Sequence, residues 1–140
     1  MKNARLHEVK SEDLEDYICV WTKFNSKGTE GKALVDTGAG ISIMPREIFD
    51  SIDQSKTKQL TEPDRKLSSA TGSKIRCDGM TEVEFSVDDM KLSHKFYICN
   101  DDVMIILGRD FIRKYKVGIE LSDNGIRINN KWVTTYDIKG

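Results

Sequence analysis

The run Ala33-Leu34-Val35-Asp36-Thr37-Gly38-Ala39 carries an apolar stretch straight into an acid, a hydroxyl residue and a glycine. That order sets a carboxylate at the edge of a dry core, on a turn sharp enough that Gly38 lets another backbone pass close by. A single carboxylate cannot both take a proton from a water and give one to a leaving group. A second carboxylate within about 3 Å, sharing one proton with the first, supplies both roles. The chain holds one such motif in 140 residues. That length makes one domain, able to bury roughly 70% of the surface its unfolded form exposes, and it is too short for a two-lobed site.

Composition removes several function classes. Twenty-two Lys and Arg oppose 23 Asp and Glu, for a net charge of −1. Balanced charge leaves no basic face for nucleic acid or for an anionic membrane. No apolar run nears the ~20 residues of a membrane span, and the first eight residues lack the apolar stretch of a signal peptide, so a cytoplasmic protein is expected. Cys19, Cys77 and Cys99 are odd in number, far apart and without C-x-x-C spacing. Neither a disulfide framework nor a metal or cofactor site is expected, and the three read as small buried hydrophobes. With only His7 and His94 available, His-based triads and metal hydrolases are disfavoured.

Residues 1–16 carry mixed charge, and Ser11-Glu12-Asp13-Leu14-Glu15-Asp16 is too acidic and short to pack alone, so a flexible N-terminal arm is expected. Residues 17–25 are dense in β-branched and aromatic side chains and run into the turn 26–31, which predicts a strand. Residues 32–35 and 41–44 are extended on either side of Asp36, and Pro45 suits the start of a short helix over 46–52. Residues 53–66 read as a polar surface connection. Thr71-Gly72-Ser73 and Asp78-Gly79 then punctuate extended runs, as in hairpins. From Glu82 to Val87 apolar residues alternate strictly, and Leu92, Phe96 and Ile98 continue the pattern after the Asp88-Asp89 turn, predicting two half-buried antiparallel strands. Residues 103–107 are apolar without alternation, as in a strand buried on both faces. Gly108 ends that strand, and 109–115 predicts a second short helix. Residues 117–121 and 126–128 flank Asn124-Gly125, a strong hairpin signal, and 132–136 is extended again. The fold class expected is all-β with short helices. His94, on the face of Leu92, Phe96 and Ile98, reads as a core-edge histidine, and Trp21 and Trp132 as packing or interface residues.

The motif around Asp36 resembles the active-site signature of retroviral-type (retropepsin) aspartic proteases. The resemblance is reinforced 72 positions after Asp36 by Ile105-Ile106-Leu107-Gly108-Arg109-Asp110-Phe111-Ile112, similar to the apolar-strand, Gly, Arg, short-helix element of that family. With Ser42-Ile43-Met44-Pro45, the pattern looks most like the proteases of Ty3/gypsy-class retrotransposons. The resemblance implies a protease domain over 17–121, shaped as a half-barrel with a flap hairpin, that works as a symmetric homodimer; the alternating apolar residues Ile126, Ile128 and Trp132 point to a C-terminal β extension over 122–140 that forms or covers the interface. It implies Asp36 as the catalytic acid, Thr37 bonded across the subunit boundary, and Gly38 beside passing substrate backbone. Ala39, with Ala70, Thr71, Gly72 and Ser73 at the flap tip, would contact substrate, and Gly108 and Arg109 would be structural. The implied activity is endoproteolysis of a retroelement polyprotein, in the cytoplasm or in virus-like particles, with an identical subunit and an extended peptide as partners.

One position departs from the pattern. Gly40 stands where well-known retroviral members have an aspartate that pairs with the arginine of the Gly-Arg element. Arg109 is left with Asp110, an N-terminal acid or a carboxylate of the other subunit as candidate partners. The rival readings are a catalytically silent dimerisation or peptide-binding module of the same fold, disfavoured because Asp36, Thr37 and Gly38 are intact, and a cellular protease of that fold.

Overall fold

The computed structural model describes residues 3–5, 17–24, 28–52, 59–68, 72, 74–100 and 104–138. Their strands are β1 (Asn3–Arg5), β2 (Ile18–Lys23), β3 (Glu30–Val35), β4 (Ile43–Pro45), β5 (Lys66–Ser68), β6 (Lys74–Ile75), β7 (Cys77–Val87), β8 (Met90–Cys99), β9 (Ile105–Leu107), β10 (Gly118–Glu120), β11 (Gly125–Ile128), β12 (Lys131–Val133) and β13 (Thr135–Asp137). Helix α1 (Arg46–Ser51) follows β4, and α2 (Arg109–Lys114) follows β9.

A seven-stranded sheet runs in the order β13-β2-β3-β9-β4-β8-β7, and β2 meets β7 again at Lys23 and Ser86, so the sheet curls back on itself like a barrel. Its centre holds the feature that positions the acid. β9 is clasped between β3, parallel to it through Ala33↔Ile105, Leu34↔Ile106 and Val35↔Leu107, and β4, antiparallel to it at Ile43↔Ile106. All three β9 residues are buried, which is why the run carries no alternation. The alternation of β7 and β8 likewise matches a sheet with one wet face: Val83, Phe85 and Val87 are buried while Glu82 and Glu84 are exposed.

The main core gathers on Phe85, whose ring lies 5.8 Å from Phe24, 5.7 Å from Phe96 and 6.1 Å from Phe111. Offset and edge-on aromatic contacts of this kind add about 0.5–1.5 kcal/mol each beyond their burial. A smaller core of Ala39, Ile41, Ile43, Leu67, Tyr97, Cys99 and Ile106 lies on the other side, with Ile75, Cys77 and Met80 packed on it. Among the described residues no helix is long and apolar enough to cross a membrane.

Several elements are set differently from the sequence reading. Within the stretch read as a flexible arm, Asn3–Arg5 pairs in parallel with β5, and the other positions of 1–16 lie outside the described residues, as does Val103. The final run 132–136 is two strands. Lys131–Val133 pairs with β11, while Thr135–Asp137 crosses to β2. The chain turns between them at Thr134, whose N–H and hydroxyl both donate to Asp88 Oδ2, at 2.9 and 3.3 Å. Ile126 and Ile128 were the apolar residues that pointed to the extension as an interface, yet both are fully buried in their own chain's core. Trp132 is 62% exposed, with the Arg127 guanidinium over its ring at 5.3 Å.

Candidate active site

Asp36 begins where β3 and β9 cease to run side by side: its N–H donates to Leu107 O at 3.0 Å. The turn that follows folds onto its own carboxylate. Gly38 N–H donates to Asp36 Oδ1 at 2.8 Å, and Ala39 N–H to Asp36 O at 3.2 Å. Asp36 is 1% exposed and Ala39 fully buried, while Thr37 and Gly38 between them are exposed. The acid sits in the dry interior, and the hydroxyl and the bare backbone face outward. Asp36, Thr37 and Gly38 line a groove of about 480 Å³ walled by Tyr17, Ile119 and Leu121 among others.

The Gly-Arg element locks this turn from the other side. A Cβ at Gly108 would lie 2.2 Å from Ile41 O and 2.8 Å from Ala39 O, so only glycine fits the close approach. Arg109 N–H donates to Ala39 O and its Nη1 to Thr37 O, both at 2.8 Å. This settles how Arg109 is satisfied without an aspartate at position 40. The guanidinium reaches a main-chain carbonyl of the Asp36 turn, and a Cβ at Gly40 would stand only 3.3 Å from Nη2.

Asp110, one of the candidates for Arg109, has other work. Its Oδ1 accepts from Ser42 Oγ at 2.7 Å and its Oδ2 from Ser42 N–H at 3.2 Å, while Ser42 Oγ accepts from Gly108 N–H at 3.1 Å. His94 Nε2 lies 3.2 Å from Asp110 Oδ2, with the imidazole otherwise enclosed edge-on by Phe96 and Phe111. Burial pushes the Asp110 carboxyl up, but hydrogen bonds from His94 and Ser42, the His94 charge and the Phe111 N–H outweigh it and hold the group below the usual carboxylate range. His94 is a core-edge residue as expected. Its partnership with Asp110 and Ser42 was not visible in the sequence, since the three stand 16 or more positions apart and no local pattern links them.

A carboxyl depressed in the folded state contributes stability that is present above its unfolded value, near 3.9, and is lost as pH falls through the folded value. Asp110→Asn is therefore expected to lower stability at pH 7 by about 1–3 kcal/mol, the cost of leaving buried polar groups poorly paired. It should also flatten the fall in stability below about pH 4. Urea unfolding at pH 7 and at pH 3 checks both, and equal stability of the two proteins at pH 7 would refute the assignment.

Of the remaining site residues only Gly72 is described; it falls between β5 and β6, where Leu67 opposes Ile75 and Ser68 opposes Lys74. Gly72 takes φ +91°, a left-handed conformation suited to glycine in the connection. Ala70, Thr71 and Ser73 lie outside the described residues.

The fold is that of retroviral proteases. A crystal structure of the retroviral protease-like domain of Ddi1 from Leishmania major superposes with a TM-score of 0.62 at 21% identity, covering 88% of this chain and 96% of that one. EIAV protease, solved with the inhibitor HBY-793, gives a TM-score of 0.58 at 15% identity, covering 73% of this chain and 90% of that one. No curated protein matches the sequence. The aspartyl protease family model matches residues 22–111, which include the Asp36 turn and the Gly108-Arg109 lock, and the chain belongs to the aspartyl protease family.

Proposed function

We propose that the protein is an aspartic endopeptidase working as a symmetric homodimer, with Asp36 of each chain forming the dyad. The observation that carries this reading is a buried carboxylate lining a groove, held by Gly38 N–H, in a chain with a single Asp-Thr-Gly. In the dimer a water between the two carboxylates attacks the scissile carbonyl carbon. One carboxylate takes the water's proton while the protonated one donates to the carbonyl oxygen. The tetrahedral diol then collapses as the amide nitrogen is protonated, with no covalent intermediate. Thr37, exposed beside the acid, bonds across the subunit boundary. The β5–β6 hairpin, with Ala70, Thr71, Gly72 and Ser73, closes over an extended peptide bound by strand-like hydrogen bonds. Trp132 of the 122–140 extension, with Leu121 at the end of the protease domain, both more than half exposed, contributes to the contact between subunits.

The substrate under this reading is the polyprotein of a Ty3/gypsy-class retroelement, supported by the Gly108-Arg109-Asp110-Phe111 block and Ser42-Ile43-Met44-Pro45. A cellular protease of the same fold is the second reading, favoured by the higher TM-score and coverage of the Leishmania major Ddi1 domain.

Cleavage profiling on a peptide library tests the proposal. Activity per chain is expected to rise with protein concentration as dimers form, in step with the dimer fraction seen by sedimentation. The pH profile should be bell-shaped in the acidic to neutral range, because one carboxylate of the pair must be ionised and the other protonated. Cleavage by a strictly monomeric protein, or activity still rising through pH 9, would overturn it. Cleavage sequences matching junctions of the parent polyprotein support the retroelement reading, and their absence there supports the cellular one.

A further inference from the structure

Two of the three cysteines are brought face to face. Cys77 opens β7 and Cys99 closes β8, and they are direct partners in the antiparallel register, just before the bulge at Cys77/Gly79. Directly opposed residues of an antiparallel pair have Cα atoms about 4.5–5.5 Å apart, inside the 4.4–6.8 Å that a disulfide spans. The Cys99 thiol lies near enough to the Cys77 sulfur to favour its thiolate, while as thiols Cys77 Sγ donates to Gly79 O at 3.3 Å and Cys99 Sγ to Tyr97 O at 3.9 Å. Cys99 is fully buried and Cys77 half-buried, which leaves one sulfur of the pair in reach of a small oxidant.

We propose that Cys77 and Cys99 form a reversible disulfide that staples the root of the β5–β6 hairpin to β8. In this pair Cys77 is the attacking sulfur. The neighbouring Cys99 thiol above all, with the main chain of Gly79 and Ile98, brings its pKa down to about 7 against burial and the nearby Asp78. At neutral pH much of it is thiolate, the form that reacts. Cys19 is the internal contrast, since burial pushes its thiol up to about 11.

The oxidant is a peroxide. The Cys77 thiolate attacks one peroxide oxygen, breaking the O–O bond to give a sulfenic acid and hydroxide, which becomes water. The Cys99 sulfur then attacks the sulfenic sulfur, the S–S bond forms, and the sulfenic oxygen leaves with the Cys99 proton as a second water. Two thiols lose two electrons and two protons, and the peroxide is reduced to two waters. A dithiol reverses the bridge.

The bridge would act on the flap. Cys77 stands two positions after β6, and Cys99 is the register partner of Pro45 on β4. Both sulfurs lie with the smaller core, which also holds Ala39 and Ile41 of the Asp36 loop. Closing the bond ties the strand that leaves the hairpin to the sheet around the acid, restraining the opening that admits peptide. This consequence rests on the endopeptidase reading, whereas the bond itself does not.

The test uses the full chain treated with hydrogen peroxide, then alkylated and analysed by intact mass and peptide mapping. The expected result is a loss of about 2 Da before alkylation and two fewer alkyl groups after it, a Cys77–Cys99 linked peptide, an unlinked Cys19, and reversal by dithiothreitol. Cys77→Ser and Cys99→Ser should each abolish the mass loss. A gain of oxygen without a link, or links that involve Cys19 or join two chains, would overturn the proposal, and the wild-type map decides this even where a variant fails to fold. Peptide cleavage by the oxidised protein should fall several-fold and recover on reduction. A bridge with unchanged cleavage would refute the restraint on the flap, and a bridge in a protein with no cleavage in either form would refute the endopeptidase reading alone.

Discussion

Asp36→Asn is expected to abolish peptide cleavage while leaving a folded protein that dimerises at least as tightly as the wild type. The amide is nearly isosteric, and its carbonyl oxygen can still accept the Gly38 N–H that now reaches Asp36 Oδ1 at 2.8 Å, so the turn has no reason to open. What is lost is the proton traffic. An amide pair can neither take a proton from water nor return one to the leaving nitrogen, and general acid–base steps of this kind account for about 10²–10⁴-fold of rate. A loss of about 10³-fold or more is therefore expected, measured as cleavage of the best library peptide. Dimer affinity should hold or rise, because the substitution removes the need to protonate one of two carboxylates brought close together. Turnover retained in the variant would end the assignment of Asp36, while lost turnover together with lost folding would be read from circular dichroism as a structural failure.

Gly108→Ala is expected to be the most destabilising single methyl that can be added near the site. Its Cβ would be driven to 2.2 Å from Ile41 O, 2.7 Å from Ile41 C and 2.8 Å from Ala39 O. These are backbone atoms of the Asp36 loop and cannot swing aside as a side chain would. Relief requires moving the loop or β9, which breaks the bonds from Arg109 N–H to Ala39 O and from Gly108 N–H to Ser42 Oγ. Overpacking in a tight interior costs about 1–3 kcal/mol and occasionally more, and the loss of these bonds puts the expected cost at about 3 kcal/mol or above. For a domain of this size that lowers Tm by about 10 °C. Gly31→Ala is the control: its Cβ would meet only the far end of the Ile105 side chain at 3.0 Å, which can rotate away. Equal Tm values for the two variants would show that Gly108 is not the tight point of the lock.

The strands that make the framework were legible because they differ in burial. One-sided strands show period 2, as β7 and β8 do, and the doubly buried β9 shows an unbroken apolar run. Turn chemistry was only partly legible. Asn124-Gly125 marks a turn, but the turn spans residues 121–124, with Asn124 at φ +51° and Gly125 already paired with Glu120. The next turn of this sheet, Asn129-Asn130 at φ +50° and +67° between Ile128 and Lys131, is a tight two-residue one. Asparagine tolerates the left-handed region well enough to replace the expected glycine there. The extension read as an interface because Ile126, Ile128 and Trp132 are apolar, and sequence periodicity cannot say whose core an apolar face enters.

What the sequence determined by itself was the motif: one carboxylate between an apolar strand and a glycine turn, and a matching Gly-Arg element far down the chain. These are local properties, written in contiguous residues whose spacing carries their meaning. Only the tertiary structure decided how the acid is held. Arg109 binding the Thr37 carbonyl, Asp110 joining Ser42 to His94, and Cys77 facing Cys99 all depend on contacts between residues 16 to 72 positions apart. Such contacts arise from the register of the strands and the path of the loop around β9, and register is a property of the folded sheet as a whole.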